Sequence, residues 1–198
     1  MSNAKNEVEY EPKSVREILR DMKNLVSLMM DLAYFAYLND NKELSDFVMK
    51  MEQEVDRLNY LLIMNSSLAV RDKEDAVGVS TIIKIGSALN DIANAAADIA
   101  NLVRIGIRVH PAVREAFQKA EEQVESVKVP PRSILIGKSI AFLEEMGIYI
   151  DVIAVRRGKK WILDPDRQEK FKEYDELIVR GAREIIDDFK EVVKKHGG

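Results

Sequence analysis

Two groups of residues in this 198-residue chain have the types and spacing to do chemistry. The first is rich in oxygen. Ser87, Asp91, Asn94, Asp98 and Asn101 advance by four, three, four and three, which on an α-helix sets them on one stripe. Glu52 and Asp56 stand one helical turn apart on another segment, where two carboxylates would meet that stripe. Short carboxylate and amide oxygens suit hard divalent cations or iron. A divalent metal ion is the one cofactor these residues suggest, with Glu52, Asp56, Asp91, Asn94 and Asp98 as its ligands. The plain alternative is a solvated face opposite the alanines of the same segment. Against that stands composition: an exposed helix face favours Glu, Lys or Arg over Asp, Asn and Ser by several tenths of a kcal/mol each.

The second group is basic. Arg156-Arg157 and Lys159-Lys160 flank Gly158, and a strand pair closed by a tight turn can present guanidinium forks to an anion. Consecutive strand residues point to opposite faces, so Arg156 and Arg157 cover both sides as candidate contacts for a small anionic ligand; the ordinary alternative is a solvated turn. Trp161, the only tryptophan, suits a core or a dimer interface better than a base-stacking role.

Enzyme chemistry finds little to build on. His110 precedes Pro111, His196 lies two residues from the end, and neither has a partner nearby in sequence. There is no Gly-x-Ser-x-Gly, and the nine glycines include no Gly-x-Gly, which removes the nucleophile elbow and the dinucleotide fingerprint. The absence of cysteine removes disulfides, thiolate metal sites and thiol nucleophiles, and fits a reducing cytoplasm. A non-enzymatic protein is expected; a metal-dependent hydrolase using Glu52, Asp56, Asp91 and Asp98 is the weakest alternative.

With 46% hydrophobic and 32% charged residues, the chain reads as soluble and well cored. Its net charge is −4, and neither half is basic enough for a nucleic-acid surface. The apolar-rich stretch Ser80 to Ile105 is interrupted by Lys84, Asp91, Asp98 and Arg104, so no membrane insertion is expected.

These residues need elements to hold them. After a polar arm over residues 1–13, Ser14 and Glu17 form a capping box for a helix to about Leu38. A second helix spans Lys42 to Met64, broken by Asn65-Ser66-Ser67, and a third runs from Asp72 to about Ile105. Val113, Phe117, Ala120 and Val124 continue the helical spacing to about Val127, and Pro130-Pro131 stops it. Beyond lie a helix from Ser133 to Met146, a strand over Ile150 to Val155, its hairpin partner Trp161 to Leu163, a strand at Leu177 to Val179 and a last amphipathic helix. The class is α+β, with an all-α bundle at 14–128 and a small α-β-β-β-α module at 132–198.

The order of elements, with Ile150 to Val155 before Arg156-Arg157-Gly158, then Asp164-Pro165 and Tyr174 to Gly181, resembles the TrkA C-terminal (RCK_C) domain. That resemblance implies a cytoplasmic regulator of potassium or related cation transport that pairs through this module. Tyr174 departs from the family pattern, which usually has Gly before the Asp. Residues 14 to 127 resemble a PhoU-type helical domain, on Glu52-xxx-Asp56 and the segment Leu89 to Ala100. In that segment only a reversed pair, Asn94-xxx-Asp98, survives of the family's acidic motif. Together the two resemblances imply a homodimer beside a membrane cation channel or transporter; the alternative is a PhoU-like metal-binding regulator of phosphate uptake or signalling.

Overall fold

The structure, a computed structural model, describes residues 9–196, so the first eight residues of the expected arm lie outside it. The chain divides into two compact units, one up to Arg108 and one from Val109.

The first unit holds three long helices, α1 (Val15–Asn39), α2 (Lys42–Leu68) and α3 (Lys73–Arg104). Asn41 and Asp72 cap α2 and α3, their side-chain oxygens accepting from the Leu44 and Asp75 backbone N–H groups and so satisfying donors that the first turn leaves free. Ser14 occupies the α1 cap position without such a bond, so the expected capping box is not made. Ile18, Met22, Met29 and Leu32 of α1, Leu44, Val48, Val55 and Leu62 of α2, and Ala93, Ala96 and Ala100 of α3 form the core.

Small α3 residues let α2 lie close. A Cβ at Gly86 would stand 2.3 Å from Leu62 Cδ2, and the buried Ser45 hydroxyl donates to the Ala100 carbonyl at 2.6 Å. These two contacts fix an antiparallel register that sets Glu52 level with residues 93–96 of α3, and Asp56 level with residues 89–92.

The break expected at Asn65-Ser66-Ser67 does not occur, since α2 continues to Leu68. Asn65 donates to the Leu61 and Glu11 carbonyls and accepts from the Lys13 N–H, and Ser66 is buried. Tertiary partners satisfy side chains that would otherwise favour a turn. Among the described residues α3 alone is long and apolar enough to cross a membrane by length and composition, with a mean hydropathy of 1.2 over its best window.

The second unit runs α4 (Pro111–Gln118), β1 (Glu122–Lys128), α5 (Phe142–Glu145), β2 (Asp151–Arg157), β3 (Lys160–Leu163), β4 (Glu176–Ala182) and α6 (Arg183–Lys194). Its antiparallel sheet has the order β1-β4-β2-β3. Two expectations are corrected. Residues 122–128, read from sequence as the end of the bundle's fourth helix, form an edge strand paired in register from Glu122↔Ala182 to Lys128↔Glu176. They belong to the unit that starts at Val109, so the seam falls well before Pro130-Pro131.

The helix expected from Ser133 to Met146 shrinks to the single turn of α5. Gly137 sits at φ 80, in the left-handed region that interrupts a helix, and Gly137 and Ile140 donate to the Phe171 and Glu169 carbonyls instead. The hairpin matches expectation, with Gly158 at φ 61 in the first loop position, as a II′ turn requires. Leu135, Leu143, Val155, Phe171, Leu177, Val179, Ile186 and Phe189 pack the core of this unit.

Candidate functional site

The sheet splits the two arginines. Arg157 turns to the loop before β4, where its Nε and Nη2 donate to both oxygens of Asp175 at 2.9 and 2.8 Å. Its Nη1 donates to Glu169 at 2.9 Å and Nη2 also to the Lys170 carbonyl at 2.9 Å. Asp175 is fully buried and accepts a further bond from the Lys172 N–H. A buried carboxylate survives when paired and hydrogen-bonded, and Asp175 in turn holds the Arg157 proton more firmly than usual. With four of its five N–H groups occupied, Arg157 is a clasp that holds residues 169–175 against β2. Its paired fork is engaged by Asp175 within the fold.

Arg156 takes the opposite face, as alternation requires. Its guanidinium lies 5.6 Å from the centre of the Trp161 ring, a cation–π distance, and Nη1 stands 3.7 Å from Glu176. The Arg156 side chain keeps 39% of its surface exposed. Glu176 also accepts from the Ser126 hydroxyl at 2.8 Å, so Ser126, Glu176, Arg156 and Trp161 run across β1, β4, β2 and β3. Trp161 is buried, with its indole N–H unpaired.

Tyr174, just before Asp175, adopts φ 63. Its N–H donates to the Val129 carbonyl and the Val129 N–H donates to the Asp175 carbonyl, both at 2.8 Å, so this left-handed turn is tied on both sides. The site wants a residue without a Cβ, and Tyr is the departure noted from sequence.

In the helical unit the expected oxygen set divides. Asp91, Asn94 and Asp98 are exposed on α3, while Glu52 and Asp56 are half-buried on α2. No group of three or more His, Asp or Glu converges among the described residues. Burial first, then the charge of Asp56 and a hydrogen bond with it, raise the Glu52 carboxyl above the ordinary Glu value. Two further polar groups on α2 and α3 are buried. Asn59 Oδ1 and Asn90 Oδ1 are buried and accept no hydrogen bond, and Asn59 Oδ1 would lie 3.1 Å from a Cβ at Gly86. A signal was present: Glu52, Asp56 and Asn59 follow a four-three spacing that shares one helix face.

A family model for the PhoU domain matches residues 19–103, and one for the TrkA-C domain matches residues 124–194. The chain is a PhoU domain followed by a TrkA-C domain. The TrkA-C match begins inside β1, in keeping with that strand's place in the sheet. No curated protein matches the chain. Solved structures similar to it include the GsuK RCK domain, at 19% identity over 52% of this chain and 24% of that one, with a TM-score of 0.32. The GsuK channel bound to NAD is 15% identical over 68% of this chain and 25% of that one, with a TM-score of 0.34. This chain therefore spans about a quarter of the length of those structures.

Proposed function

We propose that this chain is a non-enzymatic cytoplasmic regulator of cation transport, with potassium the first candidate, whose TrkA-C domain pairs two copies and whose PhoU domain meets a membrane channel or transporter. The observation that carries this reading is the succession of the two regulatory domains, PhoU then TrkA-C, along one chain. The open β3 edge of the sheet supports pairing through that domain, since exposed edges are places where sheets associate. With Arg157 committed to the fold, an anionic effector of the TrkA-C domain meets Arg156 beside Trp161.

Deleting the gene in its host and following rubidium and phosphate uptake tests the proposal. Altered rubidium uptake with unchanged phosphate uptake is expected; the reverse result refutes it in favour of phosphate signalling. For the effector, calorimetry of the full chain with adenine nucleotides and cyclic dinucleotides should give binding that Arg156→Ala weakens roughly tenfold or more, the cost of a lost charge-assisted contact.

A second reading rests on the orphaned oxygens of Asn59, on the same helix as Glu52 and Asp56, and of Asn90, on the facing α3, and on the raised Glu52 carboxyl. Two carboxylates and two amide oxygens are a donor set that fits a hard divalent ion, which would neutralise the crowded acids and accept both orphaned oxygens as ligands. Asp91, Asn94 and Asp98 do not belong to that set. Melting the full chain with Mg²⁺ or Mn²⁺ should raise the helical transition, by about 2.7 kcal/mol at a hundred times the dissociation constant, and Asp56→Ala should abolish the rise. An unshifted wild-type transition refutes ion binding here.

A further inference from the structure

We infer that the outer face of α3 is a contact surface for α3 of a second copy of this chain, the two helices running antiparallel about a two-fold axis at Ser87–Ala88. Val77, Thr81, Lys84, Ala88, Asp91, Ala95 and Asp98 are all exposed. Their steps alternate four and three, the repeat with which one helix lays a seam along another. Val77, Ile85 and Ile92 on or beside this line keep 63%, 49% and 44% of their surface in solvent, and only 11% of the most apolar window of α3 is buried. A concentration of exposed apolar side chains on one helix marks an interaction surface, and the small residues Ala88 and Ala95 allow close approach.

Charge selects the occupant and its direction. Lys84 is the single cation of α3 between Lys73 and Arg104. Neither Lys84 nor Asp91 makes an ion pair among the described residues, and seven residues, about 10 Å of helix, keep them from each other on one chain. A parallel pairing would set Lys84 against Lys84, Asp91 against Asp91 and Asp98 against Asp98, all repulsive. The antiparallel pairing brings each Lys84 level with the Asp91 of the other copy, two complementary pairs about one axis. A lipid surface fits less well, because Lys84, Asp91 and Asp98 would enter an apolar phase without partners. The seam from Val77 to Asp98 is a single helix face about 32 Å long, so it adds to other contacts instead of replacing them.

The chain has no cysteine, so a single introduced one reports its own contacts. Ala88→Cys in the full chain should form disulfide-linked dimers under mild oxidation at least tenfold faster than Gln53→Cys, placed at an exposed position of α2. Adding Lys84→Glu to Ala88→Cys should slow crosslinking roughly tenfold, and adding Asp91→Lys as well should restore it, since the swap rebuilds both pairs. Equal rates at positions 53 and 88, or no recovery on charge swap, overturns the inference. So does flotation of the wild-type chain with phosphatidylcholine vesicles in the absence of crosslinking. Sedimentation of Lys84→Glu separates this seam from the TrkA-C one: a dimer that persists while crosslinking at position 88 falls leaves the TrkA-C pairing standing.

Discussion

Removing the Arg157 clasp should unfold the TrkA-C domain well before the PhoU domain. Asp175 is fully buried and accepts three hydrogen bonds, two from Arg157 and one from the Lys172 N–H. Arg157→Met keeps the aliphatic stem but leaves that carboxylate facing a lost charge. Breaking a buried pair costs about 3–5 kcal/mol; with the Arg157 side chain 26% exposed, solvent offsets part of this, and about 2–3 kcal/mol is the expected loss. For a unit of this size that lowers the midpoint by on the order of 10 °C. Trp161 is the only tryptophan and lies in this unit, so its fluorescence follows the TrkA-C domain alone, while the helical signal in circular dichroism is dominated by α1 to α3. Urea titrations read both ways should show the fluorescence transition shifted and the helical one nearly in place. Arg157→Lys should recover less than half the loss, because an ammonium cannot make the paired fork. Asp175→Asn should couple to Arg157→Met by more than about 1 kcal/mol in a double-mutant cycle. A shift below about 0.5 kcal/mol with no coupling would refute the clasp.

Three further outcomes follow from the geometry. Tyr174→Gly should stabilise the same fluorescence transition by about 0.5–1 kcal/mol, because a left-handed φ costs a residue with a Cβ about 1–2 kcal/mol, an exposed ring loses little packing, and the freer unfolded glycine takes back part of the gain. Gly86→Ala should destabilise the helical transition by about 1–3 kcal/mol through overpacking against Leu62, despite the better helix propensity of alanine. Glu52→Gln should stabilise the helical unit at pH 7. The raised Glu52 carboxyl costs stability wherever it ionises in the fold, a penalty that is full above its folded pKa and gone below the unfolded value of 4.5. The gain in thermal midpoint over wild type should therefore vanish as the pH is lowered through that window; an equal gain at pH 4 and pH 7 would contradict it.

The helices α1 to α3, the β2–β3 hairpin, β4 and α6 were legible because their apolar residues keep one period over their whole length. β1 was not. Val113, Phe117, Ala120 and Val124 extend a helical spacing across it, and its charged composition, Glu-Gln-Val-Glu-Ser-Val-Lys, suits an exposed edge more than the alternating pattern by which strands are recognised. Of the candidate site, types and spacing singled out Glu52, Asp56 and the arginine pair as candidates, but the partner of Arg157 lies 18 residues away in a loop, and nothing local tells a fork bound inward from one facing a ligand. Asn59 and Asn90 gain meaning only from the α2–α3 register, which Gly86 and Ser45 set through contacts between distant segments.

The position of β4 between β1 and β2 also sets an order of events during synthesis. The PhoU helices are complete once Arg104 has left the ribosome, whereas β1 has no strand to join until β4 follows it, and β2 with β3 is only a hairpin until then. At 5–20 residues per second, the roughly 54 residues from the end of β1 to the end of β4 take about 3–11 s. For that interval β1 is a waiting strand. Its three charges and buried-side Val127 let it stay in water without recruiting a neighbouring nascent chain, so the composition that hid this strand from sequence reading is also what keeps it available for its own partner.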